Sequence, residues 1–436
     1  MTTVQAPHIA APARPRSSSR DTGIDFVRAL CVLGVVLLHS IMVGVTVGES
    51  GPVFSNASDG TGWIAPLSWV LQVMPLFFVI GGFSGFLAFR RMRERGGTAV
   101  EFVAGRLHRL LRPAVFVIGA VGLALAVLTV AGVPADLIAT AGFRYGQPLW
   151  FLGVFLLCQA LLPALVSAHE RAPFRTITAL AAAAIAVDVL RAASGIDGLG
   201  FLNLAFVWMT LQQLGFFLAD GRIGALRRRT RATVGIGAVL VLVATFVVGI
   251  YSPDLIANIN PPTAALLLVG IAHTSLLSLP RERLERLSRR PRIAAFTAFV
   301  TARTMTIYLW HMPVLLAMAG ATAVFALTTG AILPDLDTAG WWAGRPLWLA
   351  AALGLTALLA VTCTRFESHP APRATASAGR LVVGTLSGLV GVVLLLAVGT
   401  SVATAMIAVA LIVVGLSLAS QTAPLPSRLT GALAPA

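Results

Sequence analysis

The chain has 436 residues, of which 57% are hydrophobic and 11% are charged, and its mean hydropathy is +0.88. A soluble globular protein carries roughly 25% charged residues, so this composition excludes a cytosolic enzyme, a secreted disulfide scaffold and a disordered protein. All 32 basic residues are arginine, and the formal net charge is +15. In an integral membrane protein this excess indicates positive loops on the cytoplasmic side and not a nucleic-acid partner.

The apolar segments of the chain predict twelve membrane-spanning helices. A span needs ~20 mostly apolar residues to cross the bilayer core, and ten such segments precede residue 365. They lie near 24–46, 67–89, 112–132, 148–166, 176–193, 201–219, 232–251, 262–279, 303–328 and 346–364. The uncharged stretch from Leu381 to Ser420 is too long for one helix, so we divide it near 399–401 into a hairpin of two helices.

The predicted fold is therefore all-α: a polytopic membrane helical bundle with a ten-helix core and an appended C-terminal two-helix hairpin. We place the core at 21–365, the linker and hairpin at 366–420, a disordered cytoplasmic tail at 1–20 and a second cytoplasmic tail at 421–436. With the N-terminus inside, 29 of the 32 arginines fall in cytoplasmic segments. This asymmetry predicts a multi-pass plasma-membrane protein, surrounded by membrane lipids, with a cytoplasmic N-terminus.

Three ionisable residues lie in the first apolar segment. Asp25, Arg28 and His39 interrupt it and no Ala-x-Ala site follows, so we interpret it as a retained helix and not as a signal peptide. At ~100° per residue the three side chains share one helix face, where Asp25 can pair with Arg28. At ~1.5 Å per residue, His39 lies ~16 Å deeper than Arg28, near the middle of the membrane. Ionisable groups at that depth indicate function; a structural histidine in the core is the alternative.

A second basic cluster precedes the third span. Arg106, Arg109 and Arg112 are spaced by three residues on a short amphipathic segment. One explanation is that such arginines snorkel and anchor the helix at the interface. We adopt that explanation for the arginines that end the second span, Arg90, Arg91, Arg93 and Arg95. For Arg106 and Arg109 a phosphate clamp is equally well supported, because a guanidinium group can form two hydrogen bonds with phosphate oxygens.

Other polar side chains in the spans are candidates to line a cavity. His311 precedes Pro313, where the helix backbone can be kinked and open to a cavity. A substrate role and a hydrogen bond to a neighbouring carbonyl explain this histidine equally well. Further candidates are Gln72, Trp150, Asn203, Gln212 and Gln213. Hydrogen bonds between helices explain the polar ones equally well, and we expect His169 to be a solvated loop residue.

Five segments, in this order, resemble the membrane-bound acyltransferase-3 family. They are Asp25 to Arg28 with His39, Met74 to Phe83, Arg106 with Arg109, Leu149 to Leu152, and Thr306 to Pro313. The resemblance covers about residues 20–365, so the last two helices lie outside the family's ten-helix unit. The second segment departs from the family pattern, because Gly81-Gly82-Phe83 replaces the usual Ser-Gly-Phe, which follows three residues later as Ser84-Gly85-Phe86.

The resemblance implies an integral membrane O-acyltransferase. Such an enzyme moves an acyl group, commonly acetyl, from cytoplasmic acyl-CoA to a hydroxyl of a cell-envelope glycan, a glycolipid or another small acceptor. The expected catalytic residues are His39, Arg28 and Asp25, and the expected donor- and substrate-binding residues are Arg106, Arg109, Trp150 and His311. Acyl-CoA is then a donor substrate, and we expect no permanently bound cofactor. The imidazole can act as a general base or form a transient acyl-histidine.

A transporter or flippase for a lipid-linked sugar or a small hydrophobic molecule is the alternative function. The charged face of the first helix would then line a translocation path, but the two similar halves common in transporters are not evident. The sequence has no Walker-type glycine loop and no HExxH motif, and its cysteines Cys31, Cys158 and Cys363 are isolated in apolar stretches. We therefore expect neither a metal centre nor a disulfide. The acceptor, the acyl chain length and the oligomeric state stay open.

Overall fold

The structure is a computed structural model that describes residues 21–49, 51–364 and 370–421. The tails predicted at 1–20 and 421–436 lie outside the described residues, apart from Gln421. The first elements are α1 (Thr22–Met42), β1 (Val43–Gly48), β2 (Gly51–Asn56), α2 (Ile64–Leu71), α3 (Met74–Glu94), α4 (Ala99–Val130), α5 (Ala135–Gly146), α6 (Leu149–Arg171) and α7 (Pro173–Ser194). After a 3₁₀ turn at Asp197–Leu202 follow α8 (Asn203–Ala219), α9 (Arg222–Ala225), α10 (Arg228–Val247), α11 (Ala265–Ser278), α12 (Arg281–Ser288), α13 (Pro291–Ala302), α14 (Thr304–Thr329), α15 (Ala339–Thr362), α16 (Ala378–Ala397) and α17 (Val402–Ala419).

The predicted all-α membrane bundle is confirmed. Among the described residues, eleven helices are long and apolar enough to cross a membrane, and both helices of the predicted C-terminal hairpin are among them. The hairpin turns between Ala397 and Val402, as predicted. The span predicted at 262–279 is shorter than expected. Its helix α11 has 14 residues, which is ~21 Å of helix against a ~30 Å bilayer core.

The first predicted span is wrong at its C-terminal end. Helix α1 ends at Met42, and β1 pairs with β2 in an antiparallel hairpin that runs from Val43 opposite Asn56 to Gly48 opposite Gly51. Valines alternate with smaller residues along β1, which is the period of a strand. An apolar window does not distinguish this short run from the end of a helix, because both are hydrophobic.

Helix α3 is fixed in the bundle by a close contact with α8. A Cβ atom built on Gly82 would lie 2.1 Å from the backbone oxygen of Gln212, so only glycine allows this approach. The ring of Phe78 stacks on the indole of Trp208 with centroids 4.5 Å apart. These contacts set the position of the α3 face that looks toward α1.

The arginine-rich connections meet at one end of the molecule, which we call the arginine-rich end. There Asp21 pairs with Arg281 at 2.6 Å, and Arg93 pairs with Glu170 at 2.6 Å. The prediction that His169 is solvated is wrong. Its side chain is buried and lies 3.1 Å from the carboxylate of Asp220, because α6 continues to Arg171 and keeps this residue against α8.

At the opposite end, the connection between α10 and α11 folds back over the helices. The side-chain amide of Gln72 donates to the carbonyl of Leu255 at 2.9 Å, and the hydroxyl of Tyr251 donates to Asp188 at 2.7 Å. Burial, together with the hydrogen bond to Asp188, raises the pKa of Tyr251 above its ordinary value. The phenol therefore keeps the proton that it donates, and the connection is held at both points.

The C-terminal hairpin packs on α4 and α6. Its own two helices approach at Gly384 and Gly415, where a Cβ on Gly384 would lie 2.7 Å from the carbonyl oxygen of Gly415. The hydroxyl of Ser420 lies 3.0 Å from Nε2 of His108 in α4. The hairpin is thus joined to the helix that carries Arg106 and Arg109.

Candidate active site

A cavity of about 430 Å³ runs through the bundle between α1, α3, α4, α6 and α14. At the arginine-rich end its wall includes Asp21, Arg91 and Arg109, and toward the other end it passes Gln72 and reaches Ile256 in the α10–α11 connection. Its volume is within the range of small-molecule sites, roughly 300–1,000 Å³. The α10–α11 connection therefore covers the end of the cavity that lies opposite the arginines.

The three ionisable residues of α1 share one face, as predicted, because Asp25, Arg28 and His39 all line this cavity. The expected ion pair is present: Nη1 of Arg28 lies 2.9 Å from Asp25, and the two side chains are 18% and 10% exposed. Nη2 of Arg28 donates to the hydroxyl of Ser84 in α3. The guanidinium is therefore held between two helices at a fixed place in the wall.

The arginine-rich end of the cavity is strongly positive. Of the described residues that line the cavity, four are arginines, Arg28, Arg91, Arg106 and Arg109, and two are aspartates, Asp21 and Asp25. The guanidinium of Arg106 lies over the ring of Phe102 at 4.9 Å, whereas Arg109 is exposed at the mouth. Such an arrangement suits an anion with several phosphate oxygens.

Two residues of α3 were not recognised as site residues in the sequence. The interpretation of Arg91 as an interface anchor is incomplete, because its side chain lines the cavity, and Ser84 contacts Arg28. Phe77, Gly81, Ser84, Ala88 and Arg91 all line the cavity and follow one another by three or four residues. This is the spacing of one helix face, so a helical wheel drawn on α3 could have found both.

His311 does not line the cavity. Its ring is 0% exposed and lies behind His39, with its Nε2 3.0 Å from Nδ1 of His39. Its own Nδ1 lies 2.5 Å from the carbonyl oxygen of Tyr308. The hydrogen bond to a neighbouring carbonyl, one of the two explanations open in the sequence, is present, and the other ring nitrogen of His311 contacts His39.

The middle of the cavity has an aromatic wall. Trp150, the predicted lining residue, stacks on Trp208 with centroids 5.3 Å apart, and Phe151 meets Tyr308 edge to face at 5.0 Å. Trp150, Phe151 and Tyr308 all face the cavity. The wall offers flat apolar surface to a molecule bound in the cavity that His39 also lines.

The remaining polar candidates divide into two groups. Gln72 lines the cavity as predicted, and so does Gln159, which was not among the predicted residues. Asn203, Gln212 and Gln213 are buried outside it. The amide of Asn203 donates to Asp188 at 2.8 Å and that of Gln212 to the carbonyl of Cys158 at 3.1 Å. They join helices, which is the alternative explanation given for them.

Comparisons with curated proteins and with solved structures gave no significant match. The family model described as "Acyltransferase domain", of the Acyl_transf_3 family, matches residues 21–365. This range includes α1 to α15, the five helices around the cavity and every residue of the predicted site, and it ends before the C-terminal hairpin. The chain therefore belongs to the acyltransferase-3 family and is a membrane acyltransferase.

Proposed function

We propose that this protein transfers an acyl group, acetyl first among the candidates, from cytoplasmic acyl-CoA to a hydroxyl of a glycan, a glycolipid or another small acceptor. One observation carries the proposal. A single cavity connects the arginines at one end of the bundle to the imidazole of His39 inside it. The donor and the catalytic base can therefore meet within one enclosed space.

The arginine-rich end suits the coenzyme A part of the donor. Coenzyme A carries phosphate groups at one end and its thioester at the other end of a flexible arm. Arg91, Arg106 and Arg109 line the arginine-rich end of the cavity and supply guanidinium groups there. The phosphates would remain there while the arm extends toward His39, which lies ~16 Å along α1 from Arg28. This assignment supports a cytoplasmic arginine-rich end, as the arginine distribution predicts.

The chemistry assigned to His39 is general base catalysis. A neutral imidazole removes the proton of the acceptor hydroxyl as its oxygen attacks the thioester carbonyl carbon. The carbon–sulfur bond then breaks, and the imidazolium returns the proton to the leaving thiolate. Arg28, held by Asp25 and Ser84, is placed to orient substrate or to stabilise negative charge that develops on the carbonyl oxygen.

The aromatic wall supports an acceptor that presents an uncharged face. Trp150, Phe151 and Phe155 line the cavity between its two ends. Toward the α10–α11 connection the lining residues carry no charge, and Gln72 contributes an amide there. A sugar ring or another uncharged hydroxyl compound can pack its apolar face against such a wall.

Transfer by the purified protein tests this proposal. The protein in detergent or in liposomes is incubated with acetyl-CoA or longer acyl-CoAs and hydroxylated acceptors, and release of the free thiol is followed with acyl transfer. We expect turnover by the wild type and a loss of at least ~10²-fold for His39→Ala. His273→Ala is the matched control, because this histidine lies in α11 and does not line the cavity. If the folded protein neither binds nor turns over any of these donors, the result would instead favour the transport function.

A further inference from the structure

The contact between His39 and His311 determines where their protons lie. The facing nitrogens, Nδ1 of His39 and Nε2 of His311, are 3.0 Å apart, whereas the ring centroids are 5.0 Å apart with planes inclined by 25°. The rings therefore meet edge to edge, as a nitrogen–nitrogen hydrogen bond requires. On its other side, Nδ1 of His311 lies 2.5 Å from the carbonyl oxygen of Tyr308.

A carbonyl oxygen can only accept a hydrogen bond, so Nδ1 of His311 carries the proton. A neutral imidazole has one N–H group, and Nε2 of His311 is then an acceptor. Nδ1 of His39 must therefore donate to it. This places the single proton of His39 on Nδ1 and leaves the lone pair on Nε2, the nitrogen that His311 does not occupy.

We infer that His311 is a positioning residue that holds His39 in the Nδ1–H tautomer and presents its basic Nε2 to the acceptor hydroxyl. The inference rests on the proposed function, in which His39 is the base. When Nε2 takes the proton of the hydroxyl, the Nδ1–H group continues to donate to His311, so the imidazolium keeps a hydrogen-bond acceptor. An orienting partner of this kind is what the third member of a nucleophile–base–orienter triad provides.

The surroundings restrict the motion of both rings. His311 is completely buried, and the Tyr308 hydroxyl donates to the carbonyl of Pro148 at 2.6 Å, which fixes the helix turn that contacts His311. Near His39, the indole of Trp348 donates to the carbonyl of Ser40 at 3.0 Å. The end of α1 is thus held by α14 and α15 together.

Two substitutions of unequal severity test the inference. In His311→Gln the amide oxygen can accept from His39 and the amide N–H group can donate to Tyr308, whereas His311→Leu removes both contacts at similar bulk. We expect His311→Leu to lower kcat by ~10² or more, with the KM for acyl-CoA changed by less than about threefold. His311→Gln should recover most of the rate, and His273→Leu serves as the control for loss of a histidine within the bundle.

Nitrogen NMR on protein with isotope-labelled histidine determines the tautomer of His39. The signal that disappears in His39→Ala is assigned to this residue. We expect a proton on Nδ1 of His39 in the wild type and a signal that moves toward the Nε2–H form in folded His311→Leu. Wild-type kcat in His311→Leu, an Nε2–H signal in the wild type, or equal loss in the leucine and glutamine variants would overturn the inference. The NMR result stands apart from the proposed function, because it is obtained whether or not the protein transfers an acyl group.

Discussion

Ser84 of α3 accepts a hydrogen bond from Nη2 of Arg28 of α1. The family pattern in the second predicted span ends in Ser-Gly-Phe, and the chain offers this triplet three residues later than expected. In the structure the later triplet is the one that places its serine on the cavity wall, beside the arginine. The triplet is therefore displaced by three residues, which is ~300° or nearly one helical turn. Its serine accordingly lies on almost the same face of α3 as position 81.

This contact predicts that Ser84→Ala lowers transfer. A hydrogen bond to a charged group contributes about 1.5–3 kcal/mol, so we expect kcat/KM to fall by ~10-fold or more while the protein remains folded. Ser84→Thr keeps the hydroxyl and should retain more activity than the alanine variant. Steady-state kinetics of the three proteins provides the comparison. Unchanged kcat/KM in Ser84→Ala would show that the hydroxyl is not needed to hold Arg28.

Arg106 and Arg109, at the arginine-rich end of the cavity, should control the affinity for the donor. We expect Arg106→Gln and Arg109→Gln each to raise the KM for acyl-CoA by ~10-fold, because each removes charge-assisted hydrogen bonds to phosphate. Arg112→Gln is the matched control, since Arg112 lies on the same helix and does not line the cavity. With a dephosphorylated acyl-CoA as the donor, these two substitutions should raise the KM by a smaller factor. Equal KM values in all three variants would exclude the clamp.

Much of the fold could be predicted from the sequence, because every membrane-spanning helix needs a long apolar segment. The placement of Asp25, Arg28 and His39 on one face follows from helix geometry alone, and the cavity confirms it. The pairing of His39 with His311 could not be predicted, since it depends on how α1 and α14 approach across 272 positions of sequence. The β-hairpin after Met42 was missed for a different reason: its valines are as apolar as the helix before them.

The close contact of α3 with α8 predicts that a single methyl group added at Gly82 strongly destabilises the protein. The added carbon of Gly82→Ala would lie 2.1 Å from the carbonyl oxygen of Gln212, so the helices must separate. We expect a loss of about 1–3 kcal/mol or more, measured as a lower Tm in detergent. In Gly119→Ala nothing lies within 4 Å of the new carbon, and the better helix propensity should leave Tm equal or higher. Similar Tm values for both variants would contradict the close approach.

The α10–α11 connection, which covers the opposite end of the cavity, is predicted to lose stability at alkaline pH. The pKa of Tyr251 is raised in the folded protein by burial and by its hydrogen bond to Asp188. The stability that this phenol contributes is therefore fully present below its ordinary pKa of about 10 and is lost as pH rises through the folded value. We expect Tyr251→Phe to lower Tm near neutral pH and the difference from the wild type to shrink above about pH 10. A constant difference across this range would exclude the linkage.

The C-terminal hairpin, which lies outside the matched family domain, should influence donor binding through α4. Arg106 and Arg109 face the cavity, while Leu111 on a neighbouring face of the same helix packs against Gly388 of α16. A Cβ on Gly388 would lie 2.5 Å from Cδ1 of Leu111, so a large side chain there must displace the buried Leu111 side chain and can shift α4 with it.

We expect Gly388→Leu to raise the KM for acyl-CoA several-fold, with a smaller change in kcat, because α4 presents the arginines and does not carry His39. Val390→Leu is the matched control on the same helix, where the side chain is 55% exposed and faces outward. Donor titrations on the two variants, with Tm measured to verify folding, separate positioning from general destabilisation. If folded Gly388→Leu binds acyl-CoA like the control, the hairpin does not set the position of Arg106 and Arg109 for the proposed donor.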